Sequence, residues 1–569
     1  MIELGADLSQ RDSSGYNALQ VSALKVSLNL REMKVLLTQE NEQCLRALLD
    51  TNKSQWKEMT NILTRGKNDE VEAMADQLKK LFEDGTGPKE KLRTLFVEKF
   101  NGLESIKTSL TDQRRSNERA IALIDLLITI FDGKPDYQEQ FVGIGSISVI
   151  TDILKNSGSL EVSGYGFDCL NILAQTNIDW AYTMFQNGLT DNIISALTRN
   201  DAVTLPLLTG AINLLAKMLR SNETVPAMIG EQIDIFSLLA SCFDMVNADD
   251  PSEGSSLTAS LLEVFGALLL CDANQTRVAQ VPAIIRALLT LAMASQHRPL
   301  QLSAIMTIGS LAKDNRICCA ALIEHGAAKT LQTVLDQTKS AIDIKAATLR
   351  ALWTISGGEL GEQKAIASLI GEELLISILQ DTPLNSNADT HTLHQVACEA
   401  LGVLCRGPRS RQKEVLAAGA AKVYLTILRS KNARVVIEVL RSMSLLCVGT
   451  GLMPDPNAQK ILAQAAVGSS TTLRLLLNIL IHSNTEVVSV AAAYTLSTMV
   501  LGNQKLRAEL ESDPDWTFLH IVKLFYSSEN SVRLHAAAAL AVFCFNSQRN
   551  IELIQVMRLV SLKSKFSLG

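Results

Sequence analysis

The sequence predicts an all-α protein, built as one stack of helical repeats rather than as separate globular domains. Composition points first to helices: 47% of the 569 residues are hydrophobic but only 5% are aromatic, with 12 prolines. That much apolar surface rules out a disordered chain, and a core of small aliphatic residues suits thin layers of helices. The second observation is periodicity. Ala- and Leu-rich helical segments start at Leu261, Ala304 and Ala347, each 43 residues after the last, and again at Ala492 and Ala537, 45 apart. A period in the forties is the spacing of helical arrays whose units cannot bury both faces alone, so neighbours must stack.

Taken from the N-terminus, the first element is residues 1–37. Gly5-Ala6-Asp7, Asp12, Gly15, Ala18-Leu19-Gln20, Ala23 and Val35-Leu36-Leu37 fall at fixed offsets. This pattern resembles the ankyrin repeat, with Asn17 and Gln20 where that family usually has Thr and His. The resemblance implies a partial ankyrin-like repeat entered midway. One such unit does not stand alone, because stacked repeats need about three. Either further units precede it or it survives as a cap on the helices after it. Residues 38–118 are expected to form a charged helical cap or linker. Between Arg31 and Glu118, 32 of 88 residues are charged, and the breaker Asp84-GTGP-Lys89 divides the stretch. No apolar heptad is sustained, which argues against a coiled coil.

Residues 119–550 carry the repeat, in about nine or ten units. Most open on a glycine and a short apolar helix, GSISVITDIL at Gly145, GLTDNIISAL at Gly188, GAAKTLQTVL at Gly326 and GAAKVYLTIL at Gly419, with degenerate copies at Pro282, around Leu473 and at Trp516. A polar turn such as KNSGS, TRNDA or HSNTE comes next, then a longer helix such as ATLRALWTISG at Ala347 or ACEALGVLCR at Ala397. Ser, Asn and Gly suit those turns. These units resemble the armadillo family, and the recurring glycine start favours it over the HEAT family. The resemblance implies an armadillo/HEAT-like right-handed α-solenoid superhelix. Residues 551–569 are expected as a C-terminal tail, with Gln548-RNIELIQVM reading as the first helix of another unit.

The sequence lacks the motifs of known enzyme chemistry. The chain has no G-x-x-x-x-G-K-[ST] loop and no H-E-x-x-H pair, and Gly143, Gly145, Gly164 and Gly166 lack the third glycine and the strand of a dinucleotide loop. His391, His394 and Cys398 share one helical face, yet three ligands in partly apolar surroundings fall short of a structural zinc site. Cys318-Cys319 and His325 read as structural positions. The reading is therefore not an enzyme, with no metal and no cofactor. A net charge of −6, from 53 basic and 59 acidic residues, gives no nucleic-acid footprint. Val487–Leu501, the most apolar run, is too short to span a membrane. Ten cysteines without a C-x-x-C pair suit a reducing interior, so an intracellular, cytoplasmic location is expected, with the nucleus left open.

The armadillo resemblance implies protein partners held along the face of the third helices, which is concave in that family. Some members clamp an extended peptide there with a repeated Asn in a W-A-L-x-N-L pattern. Here the Asn positions hold Ser310, Thr354, Val403, Leu445, Thr498 and Val542, and the Trp positions hold Met306, Arg350, Glu399, Arg441, Tyr494 and Ala538. No Asn ladder forms over these helices. The expected protein-binding groove centres instead on Arg350, Trp353, Glu399, Arg441 and Tyr494, since Arg and aromatic residues dominate binding hot spots. The functional expectation is a non-catalytic scaffold for protein–protein interaction, with a structural role in a cytoskeletal or ciliary assembly as the alternative.

Overall fold

The computed structural model describes residues 56–83, 88–198, 204–232, 235–246, 253–337, 341–384, 387–449, 453–467, 470–545 and 551–552. The ankyrin-like stretch 1–37, the start of the charged segment and nearly all of the 551–569 tail lie outside them. The chain divides into two compact units, residues 1–274 and 275–569.

In the first unit the described helices fall into sets of three: 88–131, 135–176, 178–221 and 225–268. Ahead of them the helix Asn68–Phe82 packs beside Asn117–Phe131, the third helix of the first set. Each third helix then packs on the next: Asn117–Phe131, Leu160–Thr176, Leu205–Ser221 and Glu253–Leu268. The sequence explains why. Along Leu205–Ser221, Leu207, Leu208, Ala211, Leu214, Leu215, Met218 and Leu219 are all buried, so the helix is apolar on more than one side. Burying each such Leu contributes about 1.5–3 kcal/mol, which one isolated helix cannot recover.

The second unit repeats this plan in the sets 316–355, 360–405, 409–448, 456–500 and 504–544, preceded by Pro282–Met293 and Arg298–Ala312. Its third helices, Arg298–Ala312, Ile342–Ile355, Ala388–Cys405, Ala433–Val448, Glu486–Val500 and Asn530–Cys544, pack in sequence order. Small residues set their spacing. A Cβ on Gly309 would sit 3.6 Å from the Ala351 Cβ, and one on Gly402 only 3.2 Å from the Ser442 Oγ. The one β feature among the described residues is a two-residue antiparallel pair, Ala466–Val467 with Ser470–Thr471.

Two local devices recur in both units. The glycine between first and second helices is left-handed, with φ of 78° at Gly145, 80° at Gly188, 79° at Gly326 and 99° at Gly419. Only glycine takes that conformation without strain, which is why the repeat shows in the sequence as a glycine. The first helix often carries a buried amide for the carbonyls at a third helix's end. Gln138 Nε2 donates to Phe131 O at 3.1 Å, Gln412 Nε2 to Cys405 O at 2.7 Å, and Gln459 Nε2 to Thr498 O and Leu501 O at 3.0 and 2.9 Å. Helix ends leave such carbonyls without intrahelical partners, so a buried amide there removes a desolvation cost.

Candidate functional site

Two cavities mark the third-helix face of the second unit. The larger, about 510 Å³, is walled by Met306, Lys313, Asp343, Arg350, Asp389 and Thr392 over a floor that includes Leu302, Ile305 and Ala351. The smaller, about 270 Å³, is walled by Arg406, Arg441, Tyr494 and His535 over Ile437, Leu445 and Val487. Both are lined almost entirely by third helices.

The five residues singled out in the sequence separate into three places. Arg350 is exposed, lines the larger cavity, and its Nη2 donates to Thr392 Oγ1 at 2.9 Å on the next third helix. Trp353 and Glu399 are joined to each other: the indole Nε1 donates to Glu399 Oε2 at 3.0 Å, while Gln395 Nε2 donates to Oε1 at 3.0 Å. Their polar groups are thus engaged in tying one repeat to the next. Arg441 and Tyr494 meet at the smaller cavity, where Arg441 Nη1 pairs with Glu438 at 2.7 Å. Burial raises the Tyr494 pKa above its ordinary value, so its hydroxyl stays protonated.

Several neighbours were missed. Lys313 and Arg406 each stand three residues beyond an Asn position, Ser310 and Val403, at the ends of their helices and past the last residue of the W-A-L-x-N-L pattern. Asp343 lines the larger cavity but is engaged by Arg298 at 2.5 Å. Burial works to raise its carboxyl pKa, but the Arg298 guanidinium outweighs that, together with the Ile344 N–H, and holds it below the usual range. His535 at the smaller cavity carries no spacing signal of its own.

The first unit's third helices are tied differently. Lys79 Nζ pairs with Asp125 at 2.5 Å, and that hydrogen bond raises the lysine pKa. Asn171 Nδ2 donates to Gly210 O at 2.7 Å, and Lys217 Nζ donates to Asn171 O at 2.8 Å and Oδ1 at 3.1 Å. Ser260 Oγ donates to Asn213 Oδ1 at 2.6 Å. Burial lowers the Lys217 pKa, as expected for an ammonium drawn out of water. Asn171 and Asn213 fall outside the W-A-L-x-N-L positions compared above, which run from Ser310 to Val542.

The remaining chemical candidates resolve as core. His394 is 1% exposed, with Nε2 3.3 Å from Thr382 O, and burial lowers its pKa. Cys398 is buried and its thiol pKa is pushed up by burial, as are those of Cys169 and Cys405, both to about 12. Among the described residues no group of three or more His, Cys, Asp or Glu could hold a metal ion, and no single helix is long and apolar enough to cross a membrane.

Stacked three-helix units with a cavity-bearing third-helix face define an armadillo-type α-solenoid. Solved structures agree on that fold. One from work on the phosphorylation-controlled interaction between cadherin and beta-catenin is similar with a TM-score of 0.64 at 13% identity, covering 86% of this chain and 99% of that one. An engineered protein is similar with a TM-score of 0.59 at 18% identity, covering 78% and 98%. No family model matches. In sequence, the chain is similar to the ankyrin and armadillo repeat-containing protein of Mus musculus, 27% identical over 203 residues, and to that of Homo sapiens, 25% identical over 113. The matches cover 35% and 20% of this chain but only 13% and 8% of those relatives, so it corresponds to a small part of either.

Proposed function

We propose that the chain is a non-catalytic scaffold that holds a partner protein against the third-helix face of its second unit. The observation that carries this reading is the pair of cavities, about 510 and 270 Å³, with Arg350 at one and Arg441 and Tyr494 at the other. Concave sites with an apolar floor and a few polar groups are where ligands bind, and Arg and Tyr are the side chains that anchor protein interfaces. Beta-catenin, the structural neighbour, interacts with cadherin, and a protein ligand is the matching expectation here. The six Asn positions of this unit hold no Asn, so a partner would be gripped through side chains at separate points rather than along its backbone. The net charge of −6 speaks against nucleic acid as that partner.

The test is capture of partners from lysate by the purified chain, compared with an Arg350→Glu, Arg441→Glu double variant whose helical content and melting match the parent. Loss of the captured proteins is the expected result. If every partner survives the double reversal, the third-helix face is not where they bind.

A further inference from the structure

We propose that the cavity of about 270 Å³ between the third helices Ala433–Val448 and Glu486–Val500 seats an acidic segment of the partner, one carboxylate side chain lying between Arg406 and Arg441 and an apolar neighbour on the floor. This rests on the third-helix face being the docking surface and adds the chemistry of what docks there.

The lining residues decide what the cavity offers a ligand. No Asp or Glu lines it. Its two aliphatic hydroxyls are turned to backbone: Ser444 Oγ donates to Arg441 O at 2.8 Å, and Thr495 Oγ1 lies 3.0 Å from Leu440 O and 2.9 Å from Ala491 O. Arg406 is exposed, and among the described residues its guanidinium has neither an ion pair nor a hydrogen-bond partner. The Tyr494 hydroxyl likewise has no partner among the described residues, although its ring is only partly exposed. Arg441 gives one nitrogen to Glu438, which fixes the guanidinium and leaves its other N–H groups open. His535 Nδ1 is 2.7 Å from Ser531 O and is the donor in that contact.

What remains is two guanidinium groups and a phenol O–H above Ile437, Leu445 and Val487. A lysine or arginine side chain would meet like charge. An amide would leave the Arg406 guanidinium without a counter-charge, while Arg441 has only the one bond to Glu438. A carboxylate accepts from either fork and from the phenol at once, and such charge-assisted bonds are about twice as strong as neutral ones. The apolar floor then selects an acidic residue beside a Leu or an aromatic over a purely acidic run.

The test uses the whole chain and fluorescence anisotropy with a short labelled peptide alternating glutamate with leucine. Its controls are the same peptide with glutamine for glutamate, or with phosphoserine for glutamate. The glutamate peptide is expected to bind, the glutamine peptide to fail, and affinity to fall as salt rises. Arg406→Glu should weaken binding about tenfold or more, Arg406→Lys far less, and Lys313→Glu in the other cavity not at all. Binding of the glutamine peptide, binding only of the phosphoserine peptide, or equal losses from Arg406→Glu and Lys313→Glu would each overturn the assignment. If the Arg350→Glu, Arg441→Glu variant loses its captured partners while no glutamate peptide binds or competes, the docking face stands and the acidic-segment proposal falls.

Discussion

The same three-helix plan treats its third-helix face in two ways. In the first unit the cations on that face are answered by neighbours: Lys79 by Asp125, Lys217 by Asn171, and Arg220 by Glu263 at 3.4 Å. In the second unit the side chains of Lys313 and Arg406 have no ion pair or hydrogen-bonded partner among the described residues, and each borders a cavity. Polar side chains that bridge adjacent third helices fix repeat against repeat. Cations left unanswered over an apolar floor instead keep interaction energy available for something else. The first unit's third helices are thus tied to one another through their bridging cations. The second unit, where docking is proposed, pairs Arg298 with Asp343 and Arg441 with Glu438 but leaves the side chains of Lys313 and Arg406 without a partner among the described residues.

The most damaging change should fall on the cohesive side. Arg119 is 2% exposed and is held by Asn68 Oδ1 and Asp112 Oδ2 at 3.2 Å each and by Ser109 Oγ at 2.9 Å. Replacing it with Ala opens a cavity and strands those acceptors, and the expected loss is about 3 kcal/mol. Urea unfolding followed by circular dichroism should show the earliest transition moving to lower denaturant. An unchanged midpoint would mean that the buried guanidinium does not hold the first set to the helix before it.

Next comes the spacing of third helices in the second unit. Gly402→Leu drives a side chain into Ser442, whose Oγ is already only 3.2 Å from where the Cβ would stand. Overpacking of this kind costs about 1–3 kcal/mol. Because Ala388–Cys405 and Ala433–Val448 are forced apart, peptide binding at Arg406 should weaken along with stability. Stability lost with binding intact would show that the smaller cavity does not depend on that spacing.

How much of this was legible in the sequence depends on how local each feature is. The repeat was legible because a left-handed glycine and an Ala-rich helix are local demands, met within a few residues at Gly188, Gly326 or Ala347. Arg350, Arg441 and Tyr494 were legible because one helical register carries them all. Pairing was not. Trp353 meets Glu399 from 46 residues away, and nothing in either segment announces it. Arg406 was overlooked because it lies just past its helix, outside the W-A-L-x-N-L register. The cohesive face of the first unit was missed for a related reason: Asn171 acts through Gly210 O and Lys217, and no single-helix pattern contains all three.

The Trp353–Glu399 bond, invisible to any local pattern, is a direct test of the contrast between cohesion and docking. If it is an internal tie, as in the first unit, Trp353→Phe costs about 1 kcal/mol and leaves binding of the glutamate peptide unchanged. The double variant with Glu399→Ala should then cost less than the sum of the single changes, since each already removes the same contact. A loss of peptide affinity greater than the loss of stability would move Trp353 to the docking side.

The mildest change concerns pH and again separates cohesion from docking. Burial holds the His394 pKa below its ordinary 6.5, with the neighbouring His391 lowering it further. The unfolded chain therefore binds the proton first. This residue's contribution is fully present above pH 6.5 and is lost as the pH falls below it. His394→Gln should flatten the pH dependence of the unfolding midpoint over that range without altering how the peptide binds at neutral pH, because the imidazole is packed against Thr382 O rather than lining either cavity. If the slope survives the substitution, the acid sensitivity belongs to other groups, and the core of the second unit contributes nothing to it through this histidine.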